Sequence, residues 1–436
     1  MLAILAETLP VVPPPFFVTS VRTRAGDHAM IRSLKCVCLR LLASTVCFMP
    51  AAARAANCAQ TSTGLIPLTD LHSGLYLGVY EGGLYPGGAN VAPVSHDSMG
   101  RMLASAIEPL STAGSPDPGG KYVLLSIGMS NTTQEFCSAA GTEPCDPWTF
   151  MGQAASHPSV NRSTLVIVNG ARGGQTATMW DSPADPNYNM VRDSVLAPKG
   201  LSEAQVVAAW VKVANARPTQ GLPSAGADAL QLEASIGNIA RAAKTRYPNL
   251  RLVFLSSRIY AGYASTALNP EPYAYESGFS VKWAIQAQID QMNAGGGLVD
   301  PQAGDLNYTS VAPWLGWGAY LWADGLIPRS DGLTYVCSDL AADGTHPATT
   351  GEQKVARLLL RFFLLSPYAY PWFSICRPFD MDGNGVVNGG DLQPFVEVLL
   401  NPAGATPVLR CAADANADGY VTAADVPGFV NALLQR

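Results

Sequence analysis

The sequence predicts an α/β fold for residues 56–370 and a small all-α module for residues 376–436. The long segment alternates compact apolar runs, typical of buried strands, with stretches that place apolar residues at helical spacing. The short segment is acidic and contains a pattern that recurs after 34 residues. With 436 residues, 48% hydrophobic and 14% charged, the chain is long and apolar enough to bury a large core.

Residues 1–55 are predicted to be a leader, a signal peptide for which Met30 is an alternative start. An apolar stretch at 41–49 follows two basic residues, and Ala53-Arg54-Ala55 has the small-x-small pattern of a signal-peptidase site. We therefore expect a secreted protein. The apolar stretch is shorter than the roughly 20 residues that span a bilayer, so no stable membrane span is expected, and a retained anchor is the less favoured alternative.

Charge and cysteine content narrow the classes of protein further. The chain has 27 basic and 33 acidic residues, a net charge of -6, so we expect no nucleic-acid partner. Six of the nine cysteines follow the leader, an even number that is compatible with disulfides in an exported protein. Proximity favours Cys137 with Cys145 and Cys376 with Cys411, and buried free thiols are the alternative.

Three apolar runs are predicted to be buried parallel strands of an open sheet, with the ligand crevice at their carboxyl ends. These runs are 122–127, 165–168 and 252–255. Three stretches are predicted to be helices: 227–247, 279–292 and 351–365. Residues 202–215 stay ambiguous, because Ser202 and Gln205 match a capping box whereas 206–213 could be a fourth strand.

Ser130 directly follows the first predicted strand, and Asp343 and His346 precede the last predicted helix. A serine hydroxyl becomes an effective nucleophile when an imidazole takes its proton and a carboxylate fixes the imidazole tautomer. Asp343 and His346 are three residues apart, so one loop can present both. We therefore predict Ser130, Asp343 and His346 as catalytic residues. The alternative role for Ser130 is a hydroxyl that caps the following helix.

A carbonyl oxygen that gains negative charge during acyl transfer needs hydrogen-bond donors aimed at it. Three donors are candidates: the backbone N–H of Ser130, a glycine N–H within 170–174, and the side-chain amide of Asn215.

Two further sets of residues are predicted to lie outside the catalytic site. His96 is expected at the surface, and the aromatic residues between Trp314 and Trp322 are interpreted as core, with stacking on sugar rings as the alternative.

Residues 120–366 resemble the SGNH (GDSL-like) hydrolase superfamily, most closely its branch with a Gly-x-Ser-Asn motif, which includes carbohydrate acetylesterases. The resemblance rests on Gly128-Met129-Ser130-Asn131 and Asp343-Gly344-Thr345-His346. It implies a flavodoxin-like three-layer α/β/α fold, the catalytic roles given above, ester substrates and no catalytic cofactor. The family's oxyanion glycine is assigned to Gly173 by spacing. Ala214-Asn215 stands where the family has Gly-x-Asn, so Asn215 is the candidate amide.

The C-terminal segment contains two twelve-residue loops with oxygen-bearing side chains at positions 1, 3, 5, 9 and 12 and glycine at position 6. Calcium takes six to eight oxygen ligands at this spacing, including the backbone carbonyl of position 7. The ligands predicted in the first loop are Asp380, Asp382, Asn384, Val386, Asn388 and Asp391. The ligands predicted in the second loop are Asp414, Asn416, Asp418, Tyr420, Thr422 and Asp425. Two structural calcium ions are expected; metal-free turns are the alternative.

Each loop precedes an apolar stripe at helical spacing, and the two stripes are expected to bury each other. These repeats resemble a type I dockerin, the duplicated calcium module that joins secreted polysaccharide-degrading enzymes to cohesin domains. The resemblance covers 376–436 and implies calcium at both loops and a possible cohesin-like partner. Loop positions 10 and 11 are Gly389-Gly390 and Ala423-Ala424, where the family usually has a hydroxyl-bearing pair.

Together these features predict a secreted serine esterase that removes acyl groups, such as acetyl, from a carbohydrate ester and carries a calcium-binding docking module. Acyl transfer between sugars uses the same chemistry and stays open, because only the group that resolves the acyl-enzyme differs. The alternative from another class is a non-catalytic surface protein that uses an SGNH-like scaffold for binding.

Overall fold

The computed structural model describes residues 55–435. The predicted leader therefore lies outside the described residues, except for Ala55. The strands are Leu75–Tyr76 (β1), Tyr80–Glu81 (β2), Tyr122–Gly128 (β3), Leu165–Asn169 (β4), Val206–Lys212 (β5), Leu252–Leu255 (β6) and Trp314–Trp317 (β7). The α-helices are Leu68–Leu71 (α1), Val94–Ser105 (α2), Ser130–Phe136 (α3), Phe150–Ser156 (α4), Pro186–Met190 (α5), Asp228–Arg246 (α6), Tyr273–Asn293 (α7), Thr349–Leu365 (α8), Tyr370–Phe373 (α9), Leu392–Leu400 (α10), Pro407–Ala413 (α11) and Val426–Leu434 (α12).

Strands β3 to β7 form a parallel sheet in the order β4-β3-β5-β6-β7. Counted along the chain this order is 2-1-3-4-5, the flavodoxin-like arrangement. Every residue of β3 and β5 is buried, which requires cover on both faces of the sheet. Helices α3, α4 and α8 form one packed group, and α6 and α7 form another. The predicted α/β fold is confirmed.

The strand order also locates the expected ligand crevice. After β3 the chain forms β4 on one side of it, and later forms β5 on its other side. The carboxyl end of β3 therefore lies at the point where the strand order reverses, which is where open α/β sheets bind ligands. Ser130 begins α3 two residues after the end of β3.

The three predicted strands correspond to β3, β4 and β6, and the three predicted helices to α6, α7 and α8, with α7 starting earlier than expected at Tyr273. Both interpretations of the ambiguous segment 202–215 are correct, one after the other along the chain. Ser202 and Gln205 form a capping box around a short 3₁₀ helix, and β5 follows directly. The sequence analysis missed β7, whose four residues are buried. The aromatic residues around it pack in the core, as favoured above.

The C-terminal module has its own small core, built where α10 and α12 meet. The rings of Phe395 and Phe429 stack in parallel with their centroids 3.9 Å apart. The expected mutual burial of the two stripes is only partly correct, because other apolar side chains of the same helices face outward. Leu400 and Leu434 are 80% and 75% exposed. Two nine-residue helices meet along one narrow line, so each can bury only part of a broad stripe.

Three disulfides lie within the described residues. The local pairs predicted above, Cys137–Cys145 and Cys376–Cys411, are confirmed. The third, Cys58–Cys337, ties the first described segment to the loop before α8. Among residues 55–435, no helix combines the length and apolar character needed to cross a bilayer.

Candidate active site and calcium loops

Ser130, His346 and Asp343 form a continuous line of hydrogen bonds at the carboxyl edge of the sheet. The Oγ atom of Ser130 lies 2.8 Å from Nε2 of His346, and Nδ1 of His346 lies 2.6 Å from Oδ2 of Asp343. The side chains of His346 and Asp343 are 23% and 27% exposed, so the line of hydrogen bonds is partly open to solvent. In the neutral imidazole, Nδ1–H donates to the carboxylate, which leaves Nε2 to accept the serine proton.

The loop that carries Asp343 and His346 is held by its own hydrogen bonds. The Oδ1 atom of Asp343 accepts the backbone N–H groups of Thr345 and His346, both at 3.0 Å. Burial alone would raise the pKa of Asp343, but these bonds and the one from His346 lower it below its ordinary value. Asp343 is therefore ionised at neutral pH. Gly344 allows the tight turn, with φ +63°, and a Cβ atom at this position would clash with the carbonyl oxygen of Tyr263.

The histidine loop is also tied directly to the helix that begins with Ser130. The side-chain amide of Asn131 donates to the carbonyl of Thr345 at 3.0 Å. On the far side of the loop, the hydroxyls of Thr345 and Thr266 are 2.7 Å apart. Two segments more than two hundred residues apart in sequence are thus fixed against each other, which keeps the hydroxyl and the imidazole in register.

A buried ion pair that the sequence analysis missed anchors helix α3 to strand β5. Lys212 Nζ donates to both carboxylate oxygens of Glu135, at 2.6 and 2.5 Å, and both side chains are fully buried. Burial raises the pKa of Glu135 and lowers that of Lys212 to about 8, although mutual attraction opposes both changes. The hydroxyl of Thr132 donates to the Lys212 carbonyl at 2.6 Å. The only sequence signal was a lysine inside an apolar run, between Val211 and Val213.

Arg258 adds a second buried cation to this region. It follows β6 by three residues and is 1% exposed, and its Nε and Nη2 groups have no hydrogen-bond partner among residues 55–435. Burial lowers the pKa of Arg258, while the carboxylates of Glu135, Glu271 and Asp343 act in the opposite direction. Several charged groups are therefore buried near the carboxyl edge of the sheet, among them Lys212, Glu135 and Arg258.

The predicted oxyanion donors lie on three adjacent segments of the same edge. The N–H of Arg172 donates to the Gly128 carbonyl at 3.2 Å, which holds the loop containing Gly173 beside the chain that leads to Ser130. Gly173 itself is exposed. Asn215 follows β5 by three residues, and its Nδ2 donates to Oδ1 of Asp228 at 3.0 Å. One of the two amide hydrogens of Asn215 is therefore already engaged.

The expectation for His96 is wrong. His96 lies in helix α2, not on an extended surface segment, and is 3% exposed. Its Nε2 is 2.8 Å from the Leu315 carbonyl, and its ring stacks on Trp314 with centroids 4.7 Å apart. Burial lowers the pKa of His96 to about 4, so the side chain is neutral in the core at neutral pH. Helix α2 covers β7, and neither element was foreseen.

The first loop brings three of its predicted ligands together. Asp380, Asp382 and Asp391 each present a carboxylate oxygen within 4.8 Å of the others. The buried Oδ1 of Asp380 has no hydrogen-bond partner among the described residues. Asp391 accepts the N–H groups of Met381 and Asn388, both at 2.6 Å, which closes the loop. Converging carboxylates and an unpaired buried oxygen fit a calcium ion, a hard cation that prefers oxygen ligands.

The second loop has the same local fold. Gly385 and Gly419 occupy position 6 with φ +83° and +90°, as the sharp bend requires. Asp425 accepts the N–H of Thr422 at 2.7 Å, the counterpart of the bond made by Asp391. Burial and, to a smaller extent, the neighbouring carboxylates of Asp425 and Asp418 together raise the pKa of Asp414 to about 7, although the N–H groups of Gly419 and Asp418 oppose the change. A bound cation would relieve this repulsion, so the donors fit calcium here as well.

Residues 378–434 match the family model of the dockerin type I domain. The C-terminal module is therefore a dockerin type I domain, as its repeats suggested. The match covers a small part of the chain and leaves the remainder unassigned. No curated protein sequence is significantly similar to the chain.

Several solved structures are similar to the chain at low identity. One is a carbohydrate esterase family 2 enzyme with a carbohydrate-binding domain from Corynascus thermopiles (Myceliophthora fergusii), at 15% identity and TM-score 0.31, covering 56% of this chain and 65% of that one. A salicylyl-acyltransferase from a tetracycline biosynthetic pathway matches at 14% identity and TM-score 0.29, covering 57% and 55%. A GDSL-like lipase from Parabacteroides merdae matches at 12% identity and TM-score 0.28, covering 55% and 94%.

The chain thus spans less than two thirds of the length of the first two of these structures. With TM-scores below 0.5, these likenesses decide nothing about the chemistry of this chain.

Proposed function

We propose that this protein is a secreted serine esterase that hydrolyses carboxylic esters, with acyl or acetyl groups on carbohydrate as the substrate. The observation that carries the proposal is the hydrogen-bonded line from Ser130 Oγ through His346 to Asp343. A hydroxyl, a correctly oriented imidazole and an ionised carboxylate are the three groups that acyl transfer needs. Their position at the reversal point of the strand order adds support, because substrates of open α/β sheets bind there.

The reaction would proceed through an acyl-enzyme. His346 Nε2 takes the proton of Ser130 as Oγ attacks the carbonyl carbon, and Asp343 stabilises the imidazolium. The negative oxygen would be bound by the N–H of Ser130, with Gly173 and Asn215 as further donors. The C–O bond of the ester then breaks, and His346 returns the proton to the departing alcohol. Water, deprotonated by His346, then attacks the carbonyl carbon of the acyl-enzyme; the bond to Ser130 Oγ breaks, the acid leaves, and His346 returns the proton to Oγ.

The dockerin domain is proposed to bind two calcium ions and a cohesin-like partner. The ligands are those predicted for the two loops above, from Asp380 to Asp391 and from Asp414 to Asp425. Bound calcium would hold each loop in shape and takes no part in ester hydrolysis. Gly389-Gly390 and Ala423-Ala424 are exposed, so the surface that would meet a partner is small and apolar here.

The test of the enzymatic proposal is the Ser130→Ala variant, measured on a chromogenic acetyl ester beside acetylated carbohydrates. Helix α3 is anchored by Glu135 and Asn131, so this variant should fold normally, as circular dichroism can verify. We expect kcat to fall by roughly 10⁴-fold or more, because the nucleophile is lost. Unchanged turnover by folded Ser130→Ala protein would refute the proposal.

A further inference from the structure

The two calcium loops are alike in sequence but differ in their surroundings. A Cβ atom at Gly419, in the second loop, would lie 3.4 Å from Nε2 of His157 and 3.6 Å from Cδ of Pro158, both in the α/β body. At the equivalent Gly385 of the first loop, the neighbour is Arg377, at 3.5 Å within the dockerin segment itself. The second loop therefore packs against the body.

His157 is the centre of this contact. Its side chain is 7% exposed, and its Nδ1 accepts the N–H of Ser159 at 3.2 Å, which fixes the ring. Nε2 then carries the hydrogen and faces Oδ2 of Asp414 at 3.8 Å. Asp414 is position 1 of the second loop and is itself 5% exposed. A predicted calcium ligand is thus buried against an imidazole of the body.

Backbone hydrogen bonds on either side of the contact also join the two parts of the chain. Ile375 N–H donates to the Ser159 carbonyl at 2.9 Å, and Asn161 N–H donates to the Phe373 carbonyl at 2.8 Å. The segment that enters the dockerin domain is therefore bonded to the residues that follow His157. The Cys376–Cys411 disulfide extends this attachment to α11, which ends one residue before Asp414. The second loop is held at both its start and its bend.

Charge across the interface is complementary. Beside the contact lies a cleft of about 930 Å³. Arg357 and Arg361, one turn apart and exposed on helix α8, line its body side, and Asp418 and Tyr420 of the second loop line the other side. The acidic Asp331 also lines the body side, but it is paired with Arg329, so the two exposed arginines give that side a positive charge that attracts the acidic loop.

We propose that the second loop couples calcium binding to the stability of the α/β body through its contact with His157 and Pro158, whereas the first loop stabilises the dockerin domain alone. The dockerin domain would then be a fixed part of the molecule, and would hold any bound partner in a set orientation to the crevice. This inference rests on the calcium binding proposed above.

The chain offers a reporter for the body alone, because all eight tryptophans lie between residues 148 and 372. Unfolding followed by tryptophan fluorescence should therefore be measured with excess calcium and with a chelator. A ligand present at about 100 times its Kd lowers the unfolding equilibrium constant of a coupled unit by about 100-fold. We expect that change for the body of the wild-type protein.

Matched variants at loop position 5 separate the two loops. Asp418→Ala should abolish the calcium response of tryptophan-detected unfolding, and Asn384→Ala should retain it. His157→Ala should bind calcium at both loops, as measured by titration calorimetry, yet lose the response. His157→Gln serves the same purpose should the alanine variant not fold. Equal effects of Asp418→Ala and Asn384→Ala, or a full response in the His157 variants, would overturn the coupling.

The same measurements distinguish the two proposals. If calorimetry detects no calcium binding to the wild-type chain, the calcium-binding proposal fails and the coupling fails with it. If calcium binds but tryptophan-detected unfolding does not change, only the coupling fails.

Discussion

Replacing Asp343 by Asn tests how the carboxylate supports His346. In the wild-type chain one oxygen of Asp343 accepts Nδ1–H of His346 at 2.6 Å, and the other accepts the N–H groups of Thr345 and His346 at 3.0 Å. An asparagine amide has one oxygen and one NH2 group, so it cannot accept on both sides. Each of its two orientations fails in a different way.

If the NH2 group faces His346, Nδ1 must accept and the proton moves to Nε2, which then cannot take the proton of Ser130. If the oxygen faces His346, two backbone donors lose their acceptor, at about 1–3 kcal/mol each. The productive orientation is then disfavoured by about 2–6 kcal/mol, which lowers its population by roughly 30-fold to 10⁴-fold. The lost negative charge also destabilises the imidazolium, so we expect a fall in kcat of about 10³-fold to 10⁴-fold.

The assay is kcat on a chromogenic acetyl ester, with the unfolding midpoint as a check of the fold. Asp193→Asn is the matched control, since it removes a carboxylate that pairs with Arg192 at the exposed surface. The control should stay near wild-type activity. If Asp343→Asn retained activity within about tenfold of the wild-type protein, the role assigned to Asp343 would be wrong.

Two further predictions concern stability. Burial raises the pKa of Glu352 to about 7, although a hydrogen bond from Trp148 Nε1 opposes this. The folded state therefore binds the Glu352 proton more tightly than the unfolded state, whose pKa is about 4.5. The free energy of unfolding should consequently fall as the pH rises from about 4.5 toward 7. Glu352→Gln should reduce that fall in urea unfolding at pH 5 and 7.5, and an unchanged pH dependence would contradict the assignment. Lys212→Met should cost about 3–5 kcal/mol in urea unfolding, because it leaves the carboxylate of Glu135 buried and unpaired. A loss below about 1 kcal/mol would show that the pair is not an anchor.

Local patterns made much of the fold predictable. The apolar runs that became β3, β4 and β6 are bounded by polar or glycine residues, and the loop ligands have a fixed twelve-residue spacing. Ser130 and the loop from Asp343 to His346 could be proposed because each follows or precedes a recognisable element. Their 2.8 Å approach depends on the whole sheet and was not deducible from either segment.

The features that were missed depend on contacts between distant parts of the chain. Strand β7 contains two tryptophans and a glycine, without alternation or β-branched residues, and its place in the sheet comes from pairing with β6. His96 is buried because α2 packs over that strand. His157 and Asp414 are more than 250 residues apart in sequence, so only the folded chain reveals their contact.

Covalent labelling with a fluorophosphonate, read by intact mass and peptide mapping, measures the reactivity of Ser130 most directly. A serine activated by His346 should displace the fluoride and gain one phosphonyl group, found on the peptide that contains Ser130. The Ser130→Ala protein should stay unlabelled. A folded wild-type protein that takes up no label, or takes it up at another residue, would contradict the proposed esterase.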